Sequence, residues 1–393
     1  MKELEYPFDA AYIIKKRKSL KKALLADGTS RIRKKIAVFG GSTTSDIVKT
    51  LELFLLDAGI EPEFYESEYA QYFQDAMFPD ETLLSFKPDI VFIHTTNRNV
   101  TDWPEMTDTT EQIDEKLHTE INRFTAMWKS IAEKFHCPII QNNFEMPLYR
   151  LLGSRDAWDI HGRTNFLTRL NEAFYAYARE NESFYIHDLN FVSADYGLKE
   201  WSNPLFWNMY KYAMCFEAIP SFAFSVSHII KSIFGKNKKA LALDLDNTLW
   251  GGVVGDDGVD GIEIGQETGV SQSYYEFQTY VKQLKSLGIV LTVCSKNDHE
   301  NAIAGLNHPE GALRPDDFVI IKANWENKDR NIAETAAELN ILPDSIVFAD
   351  DNPAEREIVR TQIKGAAVWT GKCRTWTAWK TTSRRLTAAA SLK

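Results

Sequence analysis

Two carboxylates two positions apart, Asp244 and Asp246, stand in the run Asp244-Leu245-Asp246-Asn247-Thr248, directly after the apolar segment 240–243. Side chains two apart on an extended segment point the same way, so the pair converges where the chain leaves a sheet. Open α/β sheets bind ligands at that carboxyl edge. Converging carboxylates repel unless a cation or proton compensates, which points to a hard metal ion with oxygen ligands, such as magnesium. The same residues suit covalent and acid-base chemistry on phosphorus. Asp244 would attack as nucleophile, Asp246 would protonate the leaving group and later deprotonate water, and Thr248 would orient or hydrogen-bond its neighbours. Phosphate monoesters hydrolyse so slowly unaided that enzymatic accelerations reach ~10²¹, so dividing the step through an aspartyl-phosphate is physically reasonable.

Three further positions fit that chemistry. Ser295 follows the apolar run 289–294 and precedes Lys296 and Asn297; its hydroxyl, with Asn297 beside it, would bind phosphoryl oxygens. Lys328 opens a helical pattern, where the macrodipole disfavours a cation, and a local anion would repair the mismatch. Asp350 and Asp351 end the run 345–349, so the expected magnesium set is Asp244, Asp246, Asp350 and Asp351. Taken singly, the aspartate pair reads equally as a turn or cap, Ser295 as a loop residue and Lys328 as a solvated charge. Their joint order carries the expectation.

The elements that must position these residues alternate. In the first half, apolar runs at 36–39, 63–65, 89–94, 138–140 and 184–189 are separated by helical patterns at 46–58, 111–135 and 164–180. A buried helix at 220–234 and the polar bridge Gly235-Lys236-Asn237-Lys238-Lys239 lead into a second half with the same rhythm. There, strands at 240–246, 289–294, 318–321 and 345–349 deliver polar residues at their C-terminal ends, and helices are expected at 329–339 and 353–361. The fold class is therefore α/β: two doubly wound, mostly parallel three-layer domains, 1–235 and 236–370, with an atypical basic tail, 371–393, expected to be disordered. The segment 15–35 reads as a basic leader.

At 393 residues the chain suits two domains, and 44% hydrophobic with 25% charged residues is ordinary for a globular protein. A formal charge of -10 argues against non-specific nucleic-acid binding. Neither an apolar signal core near Met1 nor a membrane-spanning run is present, so a cytoplasmic location is expected, with neither nucleic acid nor membrane as partner. Cys137, Cys215, Cys294 and Cys373 are widely spaced and read as reduced thiols.

The order Asp244-Leu245-Asp246-Asn247-Thr248, Ser295, Lys328, Asp350-Asp351 resembles the four motifs of the haloacid dehalogenase superfamily of phosphohydrolases and phosphotransferases. More narrowly, DLDNTLWGGVVGDDGVDGIEIG from Asp244, VCSKND from Val293 and FADDNPAERE from Phe348 resemble the FkbH-like subfamily. The resemblance implies a HAD-type Rossmann-like core and a small flap opened by Trp250-Gly251-Gly252. It also implies a magnesium-dependent reaction that releases phosphate from 1,3-bisphosphoglycerate and places the glyceryl group on an acyl carrier protein. By position it makes Asp244 and Asp246 the catalytic pair, with Asp246 meeting the metal through its backbone carbonyl, and Asp350 or Asp351 the metal carboxylate. Cys294, beside Ser295, is a candidate to hold the acyl group, against the bland reading of a small buried strand residue.

Phe39-Gly40-Gly41-Ser42 before a helix is similar to the nucleophile block of SGNH-type hydrolases, and Asn97 to their asparagine block. The late Asp-x-x-His is missing, since Asp188 is followed by Leu189-Asn190-Phe191, so the first domain is expected to be a degenerate lid, scaffold or carrier-docking surface. The C-terminal region of longer FkbH-like proteins is not seen, and the chain is expected to be truncated or divergent. The rivals are a simple phosphatase of a small phosphorylated metabolite, a non-catalytic scaffold or binding protein, and an esterase centred on Ser42.

Overall fold

The computed structural model describes residues 1–363, 365 and 367–370; the tail expected to be disordered, with Cys373, lies outside the described residues. The chain divides into two compact units, Met1–Lys231 and the part from Ser232 onward. The sequence reading set the division after residue 235.

In the first unit, β1 (Ile32–Gly40), β2 (Ile60–Glu66), β3 (Ile90–His94), β4 (Ile139–Asn142) and β5 (Phe184–His187) form one sheet, ordered β2-β1-β3-β4-β5. Every pairing is parallel, with Ile36 opposite both Phe64 and Ile90. All five residues of β3 are buried, as a near-continuous apolar run requires when helices cover both faces. The longest helix, Thr110–Phe135, begins with a capping box in which Thr109 and Gln112 satisfy each other's backbone N–H groups. Its buried Phe124 and Trp128 meet Phe174 edge-on, with ring centroids 5.0 and 4.7 Å apart.

One element departs from the sequence reading. Residues Ala10–Ala26, overlapping the start of the expected basic leader, form a helix capped by Asp9, whose Oδ1 accepts from Tyr12 N at 2.9 Å. Its buried residues, Ile13, Leu20 and Leu24, are spaced seven and four apart on one face. Lysines and arginines fill the rest of the cylinder, so the charge hid a narrow apolar stripe.

The first unit also buries His94 and His187 completely. Burial holds both neutral, with pKa values pulled down to about 3. The unfolded chain binds protons at these sites below about pH 6.5 while the folded chain refuses them, so stability is full above that pH and falls as the pH drops toward 3. Each histidine contributes a slope of about 1.4 kcal/mol per pH unit through that window. Urea midpoints are expected to decline already between pH 6.5 and 5, above the range where ordinary carboxylates titrate; a flat midpoint there would refute the assignment.

The second unit carries β6 (Ala240–Leu243), β7 (Val290–Ser295), β8 (Ile320–Ala323), β9 (Ile346–Asp350) and β10 (Ala367–Thr370), all parallel and ordered β10-β9-β6-β7-β8. Strand alternation splits its core in two. Leu241, Leu243 and Val293 join Tyr274, Phe277, Val281 and Leu284 of the helix Gly269–Ser286 on one face. Ala240, Ala242, Cys294 and Phe348 join Ile332 and Val359, from helices Lys328–Glu338 and Pro353–Gln362, on the other. The strand expected at 318–321 lies two residues later, because the 3₁₀ turn Pro315–Asp317 delays it. Both units are thus parallel-sheet α/β domains with helices on both sides. Among the described residues no helix is long and apolar enough to cross a membrane.

Candidate active site

The second sheet reverses its winding between β6 and β9. A crevice forms at such a reversal, outside the carboxyl ends of the strands. Asp244 directly follows β6 and Asp350 ends β9, and the two strand ends are tied by Asp244 N donating to Ala349 O at 2.9 Å. A cavity of about 450 Å³ opens there, lined by Asp244, Asp246, Asn247, Ser295, Lys296, Lys328 and the segment Asp350–Pro353 with Glu355.

Lys328 is the centre of the site. Its Nζ donates to Asp244 Oδ1 at 2.8 Å and to Asp350 Oδ2 at 2.6 Å, and the residue is 3% exposed. Its place at the first turn of Lys328–Glu338 is against the helix dipole, and the anions that compensate are these two carboxylates. Burial alone would pull the lysine pKa down, but the charges of Asp244 and Asp350 more than reverse this and keep it protonated. Burial raises the pKa of Asp244, with Lys328 and Ser295 opposing the rise. Burial also raises Asp350, with the charge of Asp244 adding to it, and Asp351, with the charge of Asp350 adding to it. One ammonium cannot neutralise three carboxylates.

Asp244, Asp350 and Asp351 each offer an oxygen within 4.8 Å of the others, a donor set that fits a hard divalent cation. The carboxylate of Asp246 is not in that trio. Its Oδ1 accepts from Trp250 Nε1 at 2.9 Å and Val254 N at 3.0 Å, and its Oδ2 from Asn297 Nδ2 at 2.9 Å. Three donors therefore hold it beside the cluster rather than in it, and burial is the main cause that raises its pKa. That environment suits a group that carries a proton.

The other expected residues take these places. Ser295 ends β7, and its hydroxyl helps lower the pKa of Asp244. Thr248 Oγ1 accepts from Asp351 N at 3.2 Å and thereby fixes the loop that carries Asp350 and Asp351. Cys294 is 1% exposed in the opposite core, its Sγ lies 3.7 Å from the carbonyl oxygen of Lys328, and burial pushes its pKa up to about 12. This placement speaks against an acyl-holding role, because strand alternation turns the thiol away from the crevice.

Sequence reasoning did not find the supports. Arg356 Nη1 donates to the carbonyls of Asp350 and Asp351 at 2.7 and 2.6 Å, and Lys296 pairs with Glu355 at 2.7 Å at the cavity wall. Trp250, read as the start of a flap, is 1% exposed and packs so closely on Gly305 that a Cβ there would lie 2.8 Å from its ring. The flap closes through an antiparallel bridge between Gly251 and Glu263.

In the first unit, Ser42 is 2% exposed and its Oγ has no hydrogen-bond partner among the described residues. Asn97 Nδ2 donates to Glu145 O at 3.3 Å, and Asp188 Oδ1 accepts from Asn143 and Phe191. Among the described residues no base faces the serine hydroxyl at hydrogen-bonding distance, so those residues do not assemble an esterase triad there.

Residues 35–231 match the family described as FkbH, N-terminal domain. The chain is similar along most of its length to a crystal structure of the N-terminal part of the protein BF1531 from Bacteroides fragilis, described as containing a phosphatase domain and complexed with Mg. The two are 30% identical, the likeness covers 93% of this chain and 97% of that chain, and the TM-score is 0.82. A GDSL-like lipase from Bacteroides thetaiotaomicron (BT0569) is 13% identical over 56% of this chain and 99% of its own, with a TM-score of 0.29, too distant to carry an argument. No curated protein matches the chain.

Proposed function

Starting from a chain that belongs to the family described as FkbH, N-terminal domain, we propose that its second unit is a magnesium-dependent phosphohydrolase or phosphotransferase of the haloacid dehalogenase type, working through an aspartyl-phosphate. The observation that carries this reading is Lys328 shared between Asp244 and Asp350, with Asp246 held apart by three donors. The magnesium described in the similar Bacteroides fragilis structure supports the choice of metal.

Asp244, Asp350 and Asp351 would hold the ion, which supplies charge neutralisation for phosphate against carboxylate. Lys328 and Ser295 then bind and orient the phosphoryl oxygens. An oxygen of Asp244 attacks phosphorus, the ester bond breaks, and Asp246 gives its proton to the departing oxygen. The same carboxylate next takes a proton from water as that water displaces phosphate from Asp244. Asp246 serves both steps only if its pKa stays moderate. Trp250 keeps it down by donating to Oδ1, so Trp250→Phe is expected to lower kcat about tenfold and move the acidic limb of the pH–rate profile to higher pH. An unchanged profile would remove Trp250 from the machinery.

The narrower reading is release of phosphate from 1,3-bisphosphoglycerate with transfer of the glyceryl group to the thiol of an acyl carrier protein. With Cys294 buried, that transfer would run directly to the carrier. The test is an intact-mass assay with magnesium, 1,3-bisphosphoglycerate and pantetheinylated carriers, beside a control without carrier. A glyceryl adduct on the carrier supports transfer; phosphate without any adduct favours a simple phosphatase of a small phosphorylated metabolite.

A further inference from the structure

The first sheet also reverses, between β1 and β3, and its crevice is formed by the loops 41–44 and 95–100. The loops are tied together: Asn99 Nδ2 donates to Gly41 O at 2.9 Å, and Gly41 N to His94 O at 2.8 Å. Lys211, the residue after helix Pro204–Tyr210, accepts from Thr43 N at 3.0 Å, and Thr43 Oγ1 donates to Tyr210 O at 2.7 Å. Ser42, buried and with its hydroxyl unpartnered among the described residues, stands between these two anchors.

Two cations converge on one ring beside it. The Arg98 guanidinium carbon lies 4.6 Å and Lys211 Nζ 5.6 Å from the centroid of Trp207. Among the described residues neither makes an ion pair with a carboxylate. Lys211 has φ 58°, a left-handed backbone that favours glycine, pinned by its N–H donating to Trp207 O at 2.9 Å. Glu145 lies near Arg98 and interacts with its charge, while burial raises the carboxyl's pKa to about 8. Two cations held on one indole raise the positive potential around it, which favours an anion nearby.

We propose that this crevice is a binding site for a phosphoryl dianion, inorganic phosphate or a phosphomonoester, held by Arg98 and Lys211 over Trp207 with Ser42 as a further hydroxyl. Two positive charges match a dianion, whereas a carboxylate leaves one unanswered, and the guanidinium fork fits phosphate geometry. The site binds without cleaving, since no base serves Ser42. The proposal stands apart from the phosphatase reading of the second unit.

Calorimetric titration of the full chain without magnesium tests it, first with inorganic phosphate and then with glycerol 2-phosphate. Arg98→Gln and Lys211→Gly are each expected to weaken binding about tenfold or more, the loss of a charged hydrogen-bond partner. Glycine suits the left-handed backbone at 211, so a folding defect does not confound that variant. Tighter binding of the ester than of the free ion identifies an organic phosphate as ligand, and the reverse order identifies phosphate itself. No binding to the parent, equal binding to Lys211→Gly, or loss in Lys328→Met instead of Lys211→Gly would overturn the proposal.

Discussion

Asp244→Asn is expected to abolish magnesium-dependent phosphate release, lowering kcat by roughly 10⁴-fold or more, as removal of a covalent nucleophile does elsewhere. The amide is nearly isosteric and can still accept from Lys328 Nζ, which lies 2.8 Å from Oδ1 in the parent. The packing of a residue 6% exposed is therefore largely kept. What is lost is the charge that attacks phosphorus and the oxygen that would carry it. Steady-state phosphate release across several phosphorylated metabolites measures the effect, and near-native melting shows that the fold persists. If the variant keeps the parent rate with every substrate the parent turns over, the nucleophile is elsewhere or the chain is a non-catalytic binding protein.

Lys328→Met is expected to cost about 3–5 kcal/mol in stability as well as most of the activity, since removing one partner of a buried ion cluster strands the others. Asp244 and Asp350 would face each other without the ammonium, with Asp351 close by. Their pKa values, already raised by burial, would rise further. A carboxylate with a raised folded-state pKa is least destabilising when protonated, so the deficit is expected to shrink as the pH falls toward the carboxylate range and to be largest at neutral pH. Added magnesium should restore part of the loss by binding the folded state only. Urea unfolding with and without magnesium at two pH values reads both effects. A loss below about 1 kcal/mol that ignores both pH and magnesium would contradict the central place given to this lysine.

The proposed catalytic half of the site was legible because its residues sit at strand ends, where the sequence pattern and the topology agree. Asp244, Ser295 and Asp350 each stand at the C-terminal end of a strand, and parallel pairing brings these ends to one edge. Lys328 was legible as a cation at a helix start. The contacts that decide each role were not. Asp246 reads as a metal carboxylate from its spacing, and only the fold of the flap places Trp250 and Val254 on one of its oxygens. Arg356 lies six residues beyond Asp350, and nothing in that spacing reveals that its guanidinium clamps two carbonyls. In the first unit, Arg98 is over a hundred positions from Trp207 and Lys211, and no local period connects it to them.

The burial of Cys294 has a consequence for the redox behaviour of the reaction. With its pKa pushed up to about 12, on the order of 10⁻⁵ of the thiol is ionised at pH 7, and it is the thiolate that peroxide and alkylating agents attack. The cysteine next to Ser295, the serine proposed to bind phosphate, is thus shielded, and the proposed chemistry at Asp244, which uses only oxygen and nitrogen groups, is expected to continue under oxidants that would silence a thiol-dependent acyltransferase.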